Sequence, residues 1–251
     1  MAMMAEEAKR VINTARGRGV HLRLIGGLAV KLHCPSAEHR ELSRTYGDLD
    51  CVGYRSQREK ISRLLQDLGY EPNRRFNALQ GHRRLLFENP QLGFDVDVFL
   101  DVFPMCHELN FLHRLELDEY TVPVADLLLS KLQVIQLNEK DIKDTYALVE
   151  DHEIGETDDR EMINSRRIAC VCGDDWGWHK TVTMNIEQVI ALADDYLEGK
   201  ERERVTSRLR RLHQIIEEAP KSMKWRMRAR IGERVRWYNL PEDIIHLHSG
   251  G

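Results

Sequence analysis

The run RTYGDLDCVGY, residues 44–54, sets two aspartates one position apart inside a segment whose neighbours are apolar, β-branched or aromatic. Such a segment reads as a buried strand. Side chains on a strand alternate between its faces, so Asp48 and Asp50 point one way while Leu49, Cys51 and Val52 supply apolar packing. Two neighbouring carboxylates that lose water repel each other and resist ionisation unless a cation or a strong set of donors meets them. Any fold of this chain has to deliver that compensation to this strand.

The surrounding pattern predicts what else is built beside it. Residues 3–16 read as a helix, HLRLIGG as a short strand running into a glycine turn, and LAVKLHC as the helix that follows. After the GDLDCVGY strand, SQREKISRLLQDLGY has a serine start, helical apolar spacing and a glycine stop. RRLLFENPQLGFDVDVFLDVF reads as a hairpin turning at ENPQLG, with Asp95, Asp97 and Asp101 in its second arm. TVPVADLLLSKLQVIQL then predicts a proline-started amphipathic helix, and NEKDIKDTYALVEDH a second helix capped by Asn138. The polar EIGETDDRE lacks any apolar period and is the best linker candidate. Beyond Met162 the chain reads as helices, notably EQVIALADDYLEGK, ERVTSRLRRLHQIIEEA and KWRMRARIGERVRWY. The expectation is an α+β protein: a mixed β-sheet flanked by helices over residues 1–152, then an all-helical C-terminal domain over 160–251.

Composition narrows the class. With 251 residues the chain can bury a sizeable core. It carries no long uncharged apolar run, and its first residues lack the pattern of a secretion signal, so a cytoplasmic protein without a membrane span is expected. Cys34, Cys51, Cys106, Cys170 and Cys172 follow neither zinc-site nor disulfide spacing and read as buried reduced thiols. Trp176, Trp178, Trp225 and Trp237 read as packing anchors, and His107, His179 and His213 as ordinary polar or core histidines. Between Lys200 and Arg236 stand thirteen Lys and Arg against five Glu. Those basic helices suit either RNA phosphates or docking on acidic residues of the first domain, and the second use is favoured.

Three features combine into chemistry. IGGLAV places Gly26 and Gly27 at a strand-to-helix turn, where backbone approaches a ligand closely and a helix N-terminus favours phosphate. Asp48 and Asp50 follow on the next strand, and Asp97 or Asp95 on a later one. Phosphate beside carboxylates implies a divalent cation between them, and Mg2+ fits because its remaining positions are filled by phosphate oxygens and water.

GG, then DLD, then VDVF resembles the signature of the nucleotidyltransferase superfamily that includes DNA polymerase β, aminoglycoside nucleotidyltransferases and minimal nucleotidyltransferases, over most of residues 20–150. LLLSKLQVIQLNEKDIKDTYAL looks like the lysine and Lys-Asp-x-x-Asp helical segment of its AbiEii-like branch. The resemblance implies a nucleotidyltransferase-like fold and transfer of NMP from an NTP to a hydroxyl acceptor, a small molecule, a tRNA or RNA end, or a protein side chain, with release of pyrophosphate. Gly26 and Gly27 would cradle the triphosphate. Asp48 and Asp50 would bind two Mg2+ ions, with Mn2+ able to substitute. Asp97 or Asp95 would be the third carboxylate, Asp97 preferred. Lys131 and Lys140 would neutralise phosphate charge, and Asp141 and Asp144 would orient the acceptor. The C-terminal helices would form one wall of the acceptor cleft. PSAEHRELSRTY lengthens the gap between Gly27 and Asp48 beyond that of minimal members, as a nucleotide cover or a surface excursion. Two other readings stand beside this one: a catalytically silent nucleotide- or partner-binding member, within a pair with a protein antitoxin, and an RNA-binding protein acting through the basic helices.

Overall fold

The structure, a computed structural model, describes residues 2–39 and 41–240. A five-stranded mixed sheet runs in the order β1 (Leu22–Leu24), β2 (Leu49–Gly53), β5 (Phe94–Leu100), β4 (Arg84–Asn89), β3 (Glu71–Pro72). β2 and β5 pair in parallel and the remaining neighbours antiparallel. These two take the centre because they are apolar toward both faces: Leu49, Cys51, Val52, Val96, Val98 and Phe99 are all buried. A parallel pair needs a long crossover, which α3 (Arg58–Asp67), β3, α4 (Arg74–Gln80) and β4 supply. The hairpin joining β4 to β5 turns at the expected ENPQLG, where Asn89 Oδ1 accepts from the backbone of Gln91 and Leu92.

α1 (Ala2–Gly17) covers β1 and α3 with Ala8, Val11, Ile12 and Ala15, one face of a helix. α2 (Gly26–His33) leaves β1 directly. The short ribbon of β6 (Val102–Pro104) and β7 (Glu108–Asn110) follows β5. α5 (Val124–Leu132) differs from the amphipathic helix expected there: all nine residues are buried. It packs between α2 and α6 (Glu139–Asp151) on one side and α7 (Ser165–Asp174) and α8 (Trp176–Ala191) on the other, so no face meets water. Asn138 caps α6 as expected, accepting from the Asp141 N–H. Ser56 does not cap α3, which starts after a 3-10 turn at Arg55–Gln57.

The stretch expected as a linker is held at both ends, because β8 (Glu153–Gly155) and β9 (Met162–Asn164) pair in parallel and bury Ile154 and Ile163. One apolar core, from Ala8 to Ile216, runs across it. The helix expected over Glu187–Lys200 is interrupted: α8 ends at Ala191, Ala193–Asp195 makes a 3-10 turn that tucks Ala193 and Leu197 into the core, and α9 (Gly199–Glu218) starts afresh. α10 (Met223–Ile231) stops at Gly232. Cys170 departs from the expectation of buried thiols, lying exposed on the side of α7 opposite Ile168 and Cys172. Trp178 is buried as an anchor, whereas Trp176, Trp225 and Trp237 are half-buried. Among the described residues, no helix is long and apolar enough to cross a membrane.

Asp126 of α5 ties the halves together. It is 0 % exposed, and its two oxygens accept from Arg114 at 2.6 and 2.9 Å and from Arg167 of α7 at 2.9 Å. Truncation removes the carboxylate that Arg114 and Arg167 share, leaving Arg114 to Asp158. We expect Asp126→Ala to lose about 3–5 kcal/mol in urea unfolding, with Asp126→Asn losing less.

Candidate active site

The parallel register pairs Asp50 of β2 with Asp97 of β5, and Leu49 with Val96. Paired residues on neighbouring strands stand about 4.8 Å apart with side chains on the same face, so the two carboxylates are side by side. Asp97 is buried, 7 % exposed, and Asp50 partly buried. Asp48, just before β2, is exposed and lies at the mouth of the same cleft. Asp95 is also exposed, and its cross-strand partner is Glu88, so two acids face each other at the outer end of the hairpin.

Gly26 brings the glycine turn onto this pair. Its φ is +77°, and a Cβ there would sit 2.6 Å from Asp50 Oδ2, so only glycine lets the start of α2 close against the carboxylate. Gly27 answers to a residue that sequence reasoning missed: a Cβ on it would fall 1.6 Å from Nη2 of Arg44. Arg44 belongs to the inserted segment before β2. Its side chain is 12 % exposed and forms a two-pronged bond to Asp144, Nε to Oδ1 at 2.8 Å and Nη2 to Oδ2 at 2.6 Å. The guanidinium also lies 4.5 Å from the ring centre of Tyr46. The insertion is therefore pinned across the turn rather than left as a surface excursion.

Lys131 of α5 completes the cluster, 2.8 Å from Asp144 Oδ2 and 3.5 Å from Asp141 Oδ1. Asp144, 3 % exposed, thus holds Arg44 and Lys131 together. Those bonds orient two cations of the cleft. Lys140 is exposed at the rim. On the other side Arg84 of β4 grips Asp97, with Nε 2.7 and 2.9 Å from its oxygens and Nη2 bonded to Oδ2. Arg84 also escaped the sequence reading, although hairpin geometry carries the signal: pairing Asn89 with Phe94 puts Arg84 opposite Phe99, diagonal to Asp97 on the same face.

Together these residues line a cleft of about 650 Å³, with Phe99, Phe103, Met105, Leu86 and Val134 as its apolar part. Every lining residue precedes Ile142, so the C-terminal helices do not wall this cleft as expected; α5, the start of α6 and the β6–β7 ribbon do. Those helices instead border a second cleft of about 830 Å³ beyond the ribbon, lined by His107, Trp176, Arg228 and Trp237 among others. The basic face of α9 is partly spent on docking, since Arg204 pairs with Glu150, and Arg208 bonds the carbonyls of Val149 and Glu150 and the carboxylate of Glu153. His107 is a core histidine bonded to Thr181.

The acids outweigh their partners. Burial, and then the charge of Asp97, push the Asp50 carboxyl up to about 6 against the pull of Lys131. Burial also raises Asp97, with Arg84 opposing, and Asp141, with Lys131 opposing. Among the described residues no three His, Cys, Asp or Glu side chains already enclose a metal position. What the cleft offers is an open edge of carboxylates beside cations and a helix N-terminus. That donor set fits Mg2+ shared with a phosphate ligand.

No protein-family model matches the chain, and no curated protein is significantly similar to it. What stands as established is an α+β protein with a mixed sheet and an acidic cleft at its centre.

The raised Asp50 value fixes a sign. A carboxyl that ionises less readily when folded contributes its full stability below about pH 4 and loses it as pH rises through about 6. Asp97 and Asp141 act in the same direction. Asp50→Asn should therefore flatten the decline in metal-free stability between pH 4 and 7. In urea titrations with a chelator present, it should gain about 1–3 kcal/mol over wild type at pH 7.

Proposed function

We propose that the chain is a magnesium-dependent nucleotidyltransferase, moving NMP from an NTP to a hydroxyl acceptor with release of pyrophosphate. The observation that carries the reading is the in-register pair Asp50 and Asp97 closed against Gly26, with Arg44 and Lys131 fixed across the same turn. The acids would hold the metal: Asp50 and Asp97 at the centre, Asp48 at the mouth, Asp95 at the rim. Mg2+, or Mn2+ in its place, would activate the acceptor oxygen and stabilise the leaving pyrophosphate. Lys131 and Lys140 would meet the triphosphate as compact charges, and Arg44, its fork held by Asp144, would add its positive charge beside the glycine turn. The first N–H groups of α2 add donors for the same oxygens. The acceptor oxygen would attack the α-phosphorus as the bond from that phosphorus to the oxygen bridging it to the β-phosphate breaks, and its proton would pass to Asp97, which stands beside Asp50 in the cleft. Phe99 and Phe103, ring centres 4.7 Å apart, give an apolar wall for a base.

One observation favours a second reading, a nucleotide-binding member without turnover: both oxygens of Asp97 are already engaged by Arg84. One experiment separates the two. Each labelled NTP is incubated with the protein, Mg2+, and pools of tRNA, protein and small hydroxylated molecules. We expect label in one pool, reduced at least about a hundredfold by Asp50→Ala and by Asp97→Ala. Normal NTP and Mg2+ binding by Asp48→Ala/Asp50→Ala protein would contradict the assignment. Tight NTP binding without labelling of any pool supports the silent reading.

A further inference from the structure

Arg84 stands apart from the other cations of the cleft. Arg44 and Lys131 are committed to Asp144 and Asp141, acids behind the proposed phosphate site. Arg84 alone sits on an acid assigned to the metal, and among the described residues it is the one cation that hydrogen-bonds Asp97. Its contacts engage both carboxylate oxygens, so a divalent ion that binds Asp97 competes with Arg84 for lone pairs on the same group. The guanidinium is also flanked by aromatic rings, 4.8 Å from Phe99 and 5.6 Å from Phe76 of α4. Its side chain is 37 % exposed, so it can leave Asp97 without losing deep burial.

Resting on the nucleotidyltransferase reading, we propose that Arg84 is an exchangeable counter-ion. It neutralises Asp97 while the cleft holds no nucleotide, and it gives up that carboxylate to the metal that arrives with an NTP. Released, the guanidinium transfers its charge to the phosphates, where its fork again meets two oxygens. The exchange ties two affinities together. Metal alone must displace Arg84 with nothing to receive it, whereas metal with nucleotide provides a new anionic partner. Each ligand then strengthens the other by the same factor. The aromatic flanks keep the guanidinium near the cleft in both positions.

Mn2+ binding, followed by its electron paramagnetic resonance signal, tests this with and without a non-hydrolysable α,β-methylene NTP. In wild type the analogue should tighten Mn2+ binding by about tenfold or more. Arg84→Met, which keeps the apolar stem, should bind Mn2+ more tightly than wild type in the absence of nucleotide. Its enhancement by the analogue should shrink, and its affinity for the analogue should fall. Arg84→Gln, which retains a donor without the charge, should behave like Arg84→Met, and Arg84→Lys should restore part of the coupling. Circular dichroism establishes that each variant is folded. If wild type shows the enhancement while both neutral variants bind Mn2+ no more tightly without nucleotide, the counter-ion role is wrong and the nucleotidyltransferase reading stands. If wild type binds Mn2+ neither alone nor with the α,β-methylene analogue of any common NTP, both fall together.

Discussion

The parallel pairing of β2 with β5 is the constraint on which the rest of the cleft depends. It sets Asp50 beside Asp97 in the middle of the sheet, where the neighbouring strand β4 offers relief to Asp97 alone, through Arg84. A slip of one residue would turn either aspartate into the opposite face, where Cys51 and Val98 now pack. The register is therefore specified by the apolar residues and the acids at once. Burial of Leu49, Val96 and Val98 supplies the free energy that holds two like charges together.

Compensation reaches that pair from segments that are distant in sequence. The glycine turn closes on Asp50 because β1 is antiparallel to β2, which brings Ile25 back to donate its N–H to the Asp50 carbonyl at 3.0 Å. Arg44 arrives from the insertion, anchored a hundred residues away on Asp144. Lys131 arrives from α5, which has no solvent face and thus holds the lysine stem rigidly. A lysine head at the surface would be free to swing away from the cleft. Here it is fixed by two carboxylates, within reach of Asp50, whose carboxyl it draws down against the effect of burial.

Much of this was legible in the sequence. Alternation along GDLDC and FDVDVF placed the acids, and the hairpin turn fixed the partner strand. Asn138 announced the start of α6. What escaped was of two kinds. Arg84 needed the hairpin register to be counted residue by residue, since nothing in RRLLFEN distinguishes a site arginine from a surface one. Arg44 needed tertiary structure outright: its role comes from Asp144, and no local pattern connects residues 44 and 144. The amphipathic reading of α5 failed for a related reason. Its Asp126, Ser130 and Lys131 look like a wet face, yet each has a partner inside the protein. The linker at EIGETDDRE failed because two isoleucines sufficed to draw its flanks into the core.

The two buried acidic sites of the molecule show opposite economies of charge. At Asp126 one carboxylate meets Arg114 and Arg167, and a second acid, Asp158, shares Arg114 at 2.8 Å. Two acids balance two guanidiniums with direct bonds, and such a cluster has no use for a further ion. In the cleft, Asp48, Asp50, Asp97, Asp141 and Asp144 face Arg44, Arg84 and Lys131, with Asp95 and Lys140 at the rim. Arg44 and Lys131 pair with the rear acids, leaving Arg84 as the one cation among the described residues that pairs with the front group. Folding alone could have balanced this site as it did Asp126, with one more arginine. That Asp50, with the start of α2 closed against it, has no side-chain ion pair among the described residues makes the deficit a property of the cleft rather than a residue of imperfect packing. On the proposed reading, a doubly charged ion would offset the excess charge of the front acids, while the paired rear cations would face a phosphate chain.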